Sequence, residues 1–211
     1  MNADFGWRGT LLDVIKFDLG AFYLWYGDRI GTRTGMDASG QFVEVTNVGD
    51  SEHRGVESYV ELDPFPLLGV PARAGALDLF SSFGYVDARY VSGDFTGNRV
   101  EQAPRVLARF GATHGVGRMS TTLQVGYTSD SFGDANNNVQ PTEDATGGLI
   151  PAYTLLDWST SVRVARGRQL TLGINNLTNA RYFTKRTAEY PGPGILPGIG
   201  RSVYLGVRAA F

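Results

Sequence analysis

Alternation of apolar and polar positions with a period of two runs through most of the chain. In "RMSTTLQVGYT", Met119, Thr121, Leu123, Val125 and Tyr127 fall on one side of an extended strand, opposite Ser120, Thr122, Gln124, Gly126 and Thr128. "LLDWSTSVRVA" sets Leu156, Trp158, Val162 and Val164 against Asp157, Ser159, Ser161 and Arg163, with Thr160 the exception on the apolar side. "KFDLGAFYLWYGD" places Phe17, Leu19, Ala21, Tyr23 and Trp25 together, although Phe22 and Leu24 interrupt the polar side. "ALDLFSSFGYVDARY" opposes Leu77, Leu79, Phe83 and Tyr85 to Asp78, Ser82 and Gly84. The terminal "GRSVYLGVRAAF" repeats the pattern, with Val203, Leu205, Val207, Ala209 and Phe211 on one face. A chain ending on an aromatic in such a strand calls for an apolar environment, because termini otherwise fray into water.

The pattern predicts about nine strands, centred near residues 2–9, 13–29, 40–62, 76–91, 101–114, 118–129, 150–165, 168–184 and 200–211. The stretch 40–62 reads either as one long strand or as a hairpin broken at Gly49-Asp50. Tight links such as "GVGR" and "ARGR" alternate with long polar ones: "GTRTGMDASG", "GDFTGNRV", "SDSFGDANNNVQPTEDATGG" and "TKRTAEYPGPGILPGIG". In an up-and-down meander this gathers short turns at one rim and long loops at the other, the layout of an outer-membrane β-barrel. Tyr23, Trp25, Tyr85, Tyr127 and Phe211 lie near strand ends, where an aromatic girdle meets the membrane interface. A soluble sandwich with aromatics at its core edges is the competing reading.

Composition narrows the class. Charged residues make up 19%, below the ~25% of soluble domains, whereas 28 Gly, 12 Phe, 10 Tyr and 3 Trp are generous. A net charge of -2 carries no basic footprint for nucleic acid. The absence of cysteine removes disulfides, thiolate metal sites and cysteine nucleophiles. No run approaches the ~18 apolar residues of a membrane-spanning helix, and "MNADFGWRGTLLDV" lacks the pattern of a secretory signal.

With these features in place, a family resemblance is evident. "NNLTNARYFTKRTAEYPGPGILPGIGRSVYLGVRAAF" (175–211) resembles the C-terminal end of TonB-dependent outer-membrane receptors, particularly the ferric-dicitrate type. "NNLTNARYF" resembles the penultimate strand and "YPGPGILPGIGRS" the last surface loop. Phe211, Ala209, Val207, Leu205 and Val203 resemble the terminal signature read by the barrel-assembly machinery. "FYLWYGDRIGT", "VTNVGDSEHRGVES", "YVDARYVSGDFTGNRVEQAPR" and "GYTSDSFGDANNNVQPTEDATGGLIPAYTLLDWS" follow the family's order.

The resemblance implies an all-β fold, an antiparallel up-and-down transmembrane barrel segment of about nine strands within a larger, roughly 22-stranded barrel. Residues 1–211 are then the C-terminal portion of the barrel domain, with the plug domain, signal peptide and TonB-contacting box expected to be absent from the chain. It further implies part of a bacterial outer-membrane receptor for TonB-dependent uptake of ferric citrate or a ferric siderophore. Its partners would be outer-membrane lipid, the assembly machinery and, through the missing N-terminal part only, the TonB complex. A small stand-alone pore or adhesin barrel and a soluble β-sandwich binding protein are the alternatives. Nine strands have the wrong parity for a closed bacterial barrel.

Candidate chemistry points to binding without catalysis. His53 and His114 have no ligand partners nearby and read as solvated or lumen-facing side chains. "DANNNVQPTED" spaces Asp134, Asn136 and Asn138 like a calcium loop, but Val139 replaces the required Gly and Ala145 the final Glu, leaving a flexible surface loop. No nucleophile elbow or phosphate loop is present, so no enzyme, metal site or cofactor is expected. "NLT" at Asn176 matches a glycosylation sequon, discounted in a bacterial protein. Anionic ferric chelates would be met by guanidinium and ammonium groups. Arg89, Arg99, Lys185 and Arg186 flank the long links, with Gln102, Asn137 and Tyr190 as neutral partners. For each of these the competing reading is a solvated loop residue.

Overall fold

The computed structural model describes residues 1–188 and 192–210, so Tyr190 and Phe211 lie outside the described residues. The chain runs β1 (Asn2–Leu11), β2 (Ile15–Asp37), β3 (Gly40–Leu62), the short helix α1 (Pro64–Leu67), a 3-10 turn (Ala72–Ala74) and β4 (Ala76–Tyr90). It continues through β5 (Val106–Val116), β6 (Met119–Thr128), β7 (Ser131–Phe132), β8 (Leu149–Ile150), β9 (Tyr153–Ala165), β10 (Arg168–Asn175), β11 (Phe183–Thr187), β12 (Gly194–Pro197) and β13 (Ser202–Ala209). Nine of these form one antiparallel sheet in the order β1-β2-β3-β4-β5-β6-β9-β10-β13; β7-β8 and β11-β12 are hairpins inside the long links. The sheet is open, with β1 and β13 at its edges.

Register sorts the side chains onto two faces. One row across the sheet reads Phe17, Val60, Ser81, Phe110, Val125, Leu156, and in β10 and β13 Leu172 lies opposite Leu205. Side chains on this face have no second layer over them: Trp7, opposite Leu19 in β2, is 61% exposed, Phe110 52% and Leu205 72%. An apolar face of this extent is unsustainable in water and fits hydrocarbon. Thr121 and Thr160, the polar exceptions, hydrogen-bond each other through their hydroxyls at 2.8 Å, as lipid-facing polar groups must. The opposite face is polar: Lys16 pairs with Glu61 at 2.6 Å, Thr113 with Thr122 at 2.9 Å and Ser161 with Thr171 at 2.8 Å. Among the described residues no second sheet packs on the apolar face, which removes the sandwich alternative.

The short rim holds the turns Leu12–Val14, Gly117–Arg118 and Arg166–Gly167, together with the longer 63–75 link. Two sequence expectations are corrected at the ends of strands, and the choice left open over 40–62 is decided. "GTRTGMDASG" is strand rather than loop: Thr32 pairs with Val45 and Thr34 with Val43, so β-branched partners carry the β2-β3 ladder out to Asp37 and Gly40. The 40–62 stretch is a single strand bent by a bulge, where Arg29 faces Gly49 and Ile30 faces Asn47, leaving Val48 without a partner. Gly49 is required there: its φ is +102°, and a Cβ would stand 2.2 Å from the Ser92 carbonyl oxygen. The strand predicted over 168–184 stops at Asn175, because Asn176 and Asn179 turn into positive φ (50° and 55°). Asn176 is 3% exposed, and its side chain accepts from Ala180 N at 2.8 Å and donates to Ala180 O at 2.9 Å. The sequon asparagine is therefore the pin of a turn.

Candidate functional site: the long-link rim

The buried apolar residues gather at the long-link rim. Val48 at the β3 bulge and Ala88 and Tyr90 at the end of β4 pack with Phe95, Val100 and Ala135 from the loops. The β4-β5 loop (91–105) folds back through backbone bonds, Tyr90 N to Asn98 O at 3.0 Å and Val100 N to Ala88 O at 3.0 Å. Tyr90, 1% exposed, donates its phenol to Glu101, whose other carboxylate oxygen lies 4.0 Å from the Arg29 guanidinium. Arg29 Nε is buried with no hydrogen-bond partner. His53 stands beside this group on the polar face, 3.2 Å from Ser51 Oγ and edge-on to Tyr26.

The β6-β9 loop (129–152) is organised around Asp134, which is fully buried. Its carboxylate accepts from Gly148 N at 2.8 Å and from Asn138 Nδ2 at 3.2 Å. The "DANNNVQPTED" stretch is thus a structured loop, and the expectation of flexibility is corrected. Asp144 caps the turn beside it, accepting from the Thr142 and Thr146 hydroxyls at 2.6 and 2.8 Å, which holds its carboxyl below the usual range.

The predicted binding residues divide into different environments. Arg99 and Asn137 are brought together: Asn137 Oδ1 accepts from Arg99 N at 2.7 Å, and its Nδ2 donates to Arg99 O at 2.8 Å. The Arg99 guanidinium is spent on Asp130 at 2.9 Å and lies over the Phe132 ring, 5.2 Å from its centre. Arg186 is 8% exposed and donates to Leu149 O at 3.0 Å and Ala145 O at 2.8 Å, and burial lowers the pKa of its guanidinium. It ties the β10-β13 link to the β6-β9 loop. Arg89 faces outward, sharing Asp87 with Arg54 and Arg105 at 3.1, 3.3 and 3.0 Å. Gln102 is exposed in a positive-φ turn, and half-buried Lys185 in β11 has no ion-pair partner among the described residues. Tyr190 and Phe211 fall outside the described residues, while Val203, Leu205 and Val207 of the terminal signature are on the apolar face.

His114 departs from its expected placement. It shares the apolar, outward face of β5 with Phe110 and Val116, and its Nε2 donates to Ala74 O at 2.9 Å. Sequence reasoning missed Arg109, an exposed cation on the polar face opposite Gly126; its alternation with Gly111 and Thr113 in "LARFGATHG" carried that signal. It also missed Asp134 as the centre of a loop, which no local pattern encodes. No group of three or more metal-ligating side chains occurs among the described residues.

An apolar-out, polar-in antiparallel sheet with short turns at one rim and interlocked long loops at the other defines a wall segment of an outer-membrane-type β-barrel. Residues 1–177 match the sequence model of the TonB dependent receptor-like β-barrel, and the chain belongs to that family. Among solved structures it is similar to the unliganded ferric citrate transporter FecA, at 21% identity and a TM-score of 0.82, covering 99% of this chain and 30% of that one. It is also similar to the copper transporter OprC (19%, TM-score 0.73, 100% and 30%). The ferric yersiniabactin uptake receptor FyuA from Yersinia pestis follows (18%, TM-score 0.72, 100% and 29%). At these identities the likeness shows the fold, and the chain spans less than a third of each of these receptors. No curated protein matches it.

Proposed function

We propose that this chain supplies wall strands and surface loops of a bacterial outer-membrane receptor for TonB-dependent uptake of a ferric chelate, either ferric citrate or a siderophore complex. The observation that carries the reading is the rim: three long links and the β2-β3 arm are locked into one cap, with Ala135 N on Thr32 O at 2.8 Å and Asn98 Nδ2 on Ala135 O at 2.8 Å. A cap of this kind holds binding groups in fixed positions. Family membership and the likeness to ferric-chelate transporters support the choice of cargo.

In this reading the free edges of β1 and β13 pair with strands outside this chain, and the TonB complex is met by segments outside it. The barrel-assembly machinery reads the terminal strand. Arg99, Asn137 and Arg186 shape the cap, because their polar groups are spent on loop partners. Lys185 and Gln102, with Arg109 on the inner face below, offer uncommitted donors to an anionic chelate. Arg89 is directed to the outer wall and contributes least.

The test is uptake of radiolabelled iron by a strain lacking the receptor that contains this chain. Restoring the receptor should restore uptake of ferric citrate or of one siderophore complex, only in a strain with intact TonB, and K185A/Q102A should lower it. Equal uptake with and without the receptor, for each chelate tried, refutes the reading.

A further inference from the structure

The link between β3 and β4 carries "DPFPLLGVPARAGA", the one long connection at the short rim, and it is folded rather than slack. Asp63 caps α1 by accepting from Phe65 N at 3.0 Å, and Leu68 N and Val70 N close the turn on Pro64 O and Phe65 O, both at 3.0 Å. The link then lies down on the wall. The Phe65 ring meets the His114 ring edge-on with centres 6.0 Å apart, and His114 Nε2 holds Ala74 O. Gly75, at φ +89°, passes so close to β5 that a Cβ would stand 1.9 Å from Gly115 O.

His114 fixes the side on which the link lies. It alternates with Phe110, Ala112 and Val116, so the link is seated on the outward, apolar face and away from the polar inner face. There it presents Leu67 and Leu68, 53% and 73% exposed, beside an exposed Pro66 and Arg73. β3 and β4 stand third and fourth in the sheet, both paired on each side, so further strands joining at β1 or β13 do not cover this position.

We propose that the 63–75 link is an interfacial anchor: Leu67 and Leu68 insert between lipids of the leaflet at the short rim, and Arg73 reaches their phosphates. The occupant is lipid because the link continues an apolar surface that Leu62, Leu77 and Leu79 form on the strands below it. An amphipathic turn with two leucines and an arginine at the edge of hydrocarbon has the composition of an interfacial segment. The anchor sets the depth of the wall in the membrane. The proposal rests on the reading of the outward face as lipid-facing.

The chain has no cysteine, so single cysteines report cleanly from this segment. In the full receptor, reconstituted in phosphatidylethanolamine–phosphatidylglycerol bilayers, nitroxide labels at L67C and L68C would be compared with L79C on the wall and R166C at a tight turn. Collision with oxygen, which concentrates in hydrocarbon, is measured against collision with a water-soluble nickel chelate. The expected result is an oxygen-to-nickel ratio at 67 and 68 several-fold above that at 166 and approaching that at 79. Ratios at 67 and 68 equal to that at 166, with 79 still in lipid, overturn the anchor alone. A water-like ratio at 79 overturns the lipid-facing reading and the anchor with it.

Discussion

Replacing Asp134 by alanine should unlock the β6-β9 loop while leaving the barrel wall intact. The carboxylate is fully buried and receives two good hydrogen bonds, from Gly148 N at 2.8 Å and Asn138 Nδ2 at 3.2 Å. A hydrogen bond to a charged group contributes about 1.5–3 kcal/mol, and an orphaned buried donor costs on the order of 1–3 kcal/mol. Water entering the space vacated by the carboxylate recovers part of this. The lower end, about 3 kcal/mol for the pair, is therefore the reasonable figure. At about 1.4 kcal/mol per factor of ten, local opening should increase roughly 100-fold.

Hydrogen exchange of the full receptor reads this directly, because loop amides exchange through local opening while strand amides need a larger one. Peptides covering 131–150 should lose protection in D134A, with peptides from β6 and β9 unchanged. D134N keeps a carbonyl oxygen for Gly148 N and should retain part of the protection. Exchange over 131–150 within about threefold of wild type in D134A would mean that Asp134 is not the organising group of the loop.

Other perturbations test the remaining elements. G49A forces a side chain into φ +102° against the Ser92 carbonyl; it should cost more than about 2 kcal/mol locally and expose the β2-β3 bulge to limited proteolysis. L205R places a charge on the apolar face at a cost of about 2–4 kcal/mol and should reduce the heat-modifiable folded band in gels. Q124R faces inward beside Asp157, which Gln124 already contacts at 3.5 Å, and should fold at wild-type yield. The Asp144 carboxyl is lowered by the Thr142 hydroxyl bond first and by Thr146 next. Because its folded pKa lies below its unfolded value, the cap is complete above the usual carboxylate range and is lost as pH falls through the lowered value. Exchange at Thr146, corrected for intrinsic rate, should stay flat from neutral pH to about 5 and rise only below about 4, and D144N should abolish that step.

The sheet was legible in the sequence wherever one face is uniformly apolar. Met119 to Tyr127 and Val203 to Ala209 declare their faces residue by residue, and the observed register follows them. Legibility failed where tertiary contacts override local pattern. "GTRTGMDASG" has turn composition, yet cross-strand pairing of Thr32 and Thr34 with Val45 and Val43 keeps it extended. His114 looked like a polar-face residue because its partner, the carbonyl of Ala74, lies 40 residues upstream. Arg99 and Arg186 were recognisable as rim cations, but their commitment to Asp130 and to Leu149 O depends on loop closure that no spacing reveals.

The location of the core explains why the rim was the least legible part. A wall that meets lipid on one side and a polar interior on the other has no place for a packed apolar layer, so ordinary core-building is displaced to the long-link rim. Tyr90, Val48 and Ala88 supply the strand half of that core, and Phe95, Val100 and Ala135 the loop half. In these loops each uncommitted side-chain donor is flanked by a residue that holds the cap closed. Gln102 is adjacent to Glu101, which receives the Tyr90 phenol, and Lys185 is adjacent to Arg186, which bridges two links. If, as proposed, Gln102 and Lys185 meet the chelate, uptake can be altered without opening the rim only by changing these residues and keeping Glu101 and Arg186.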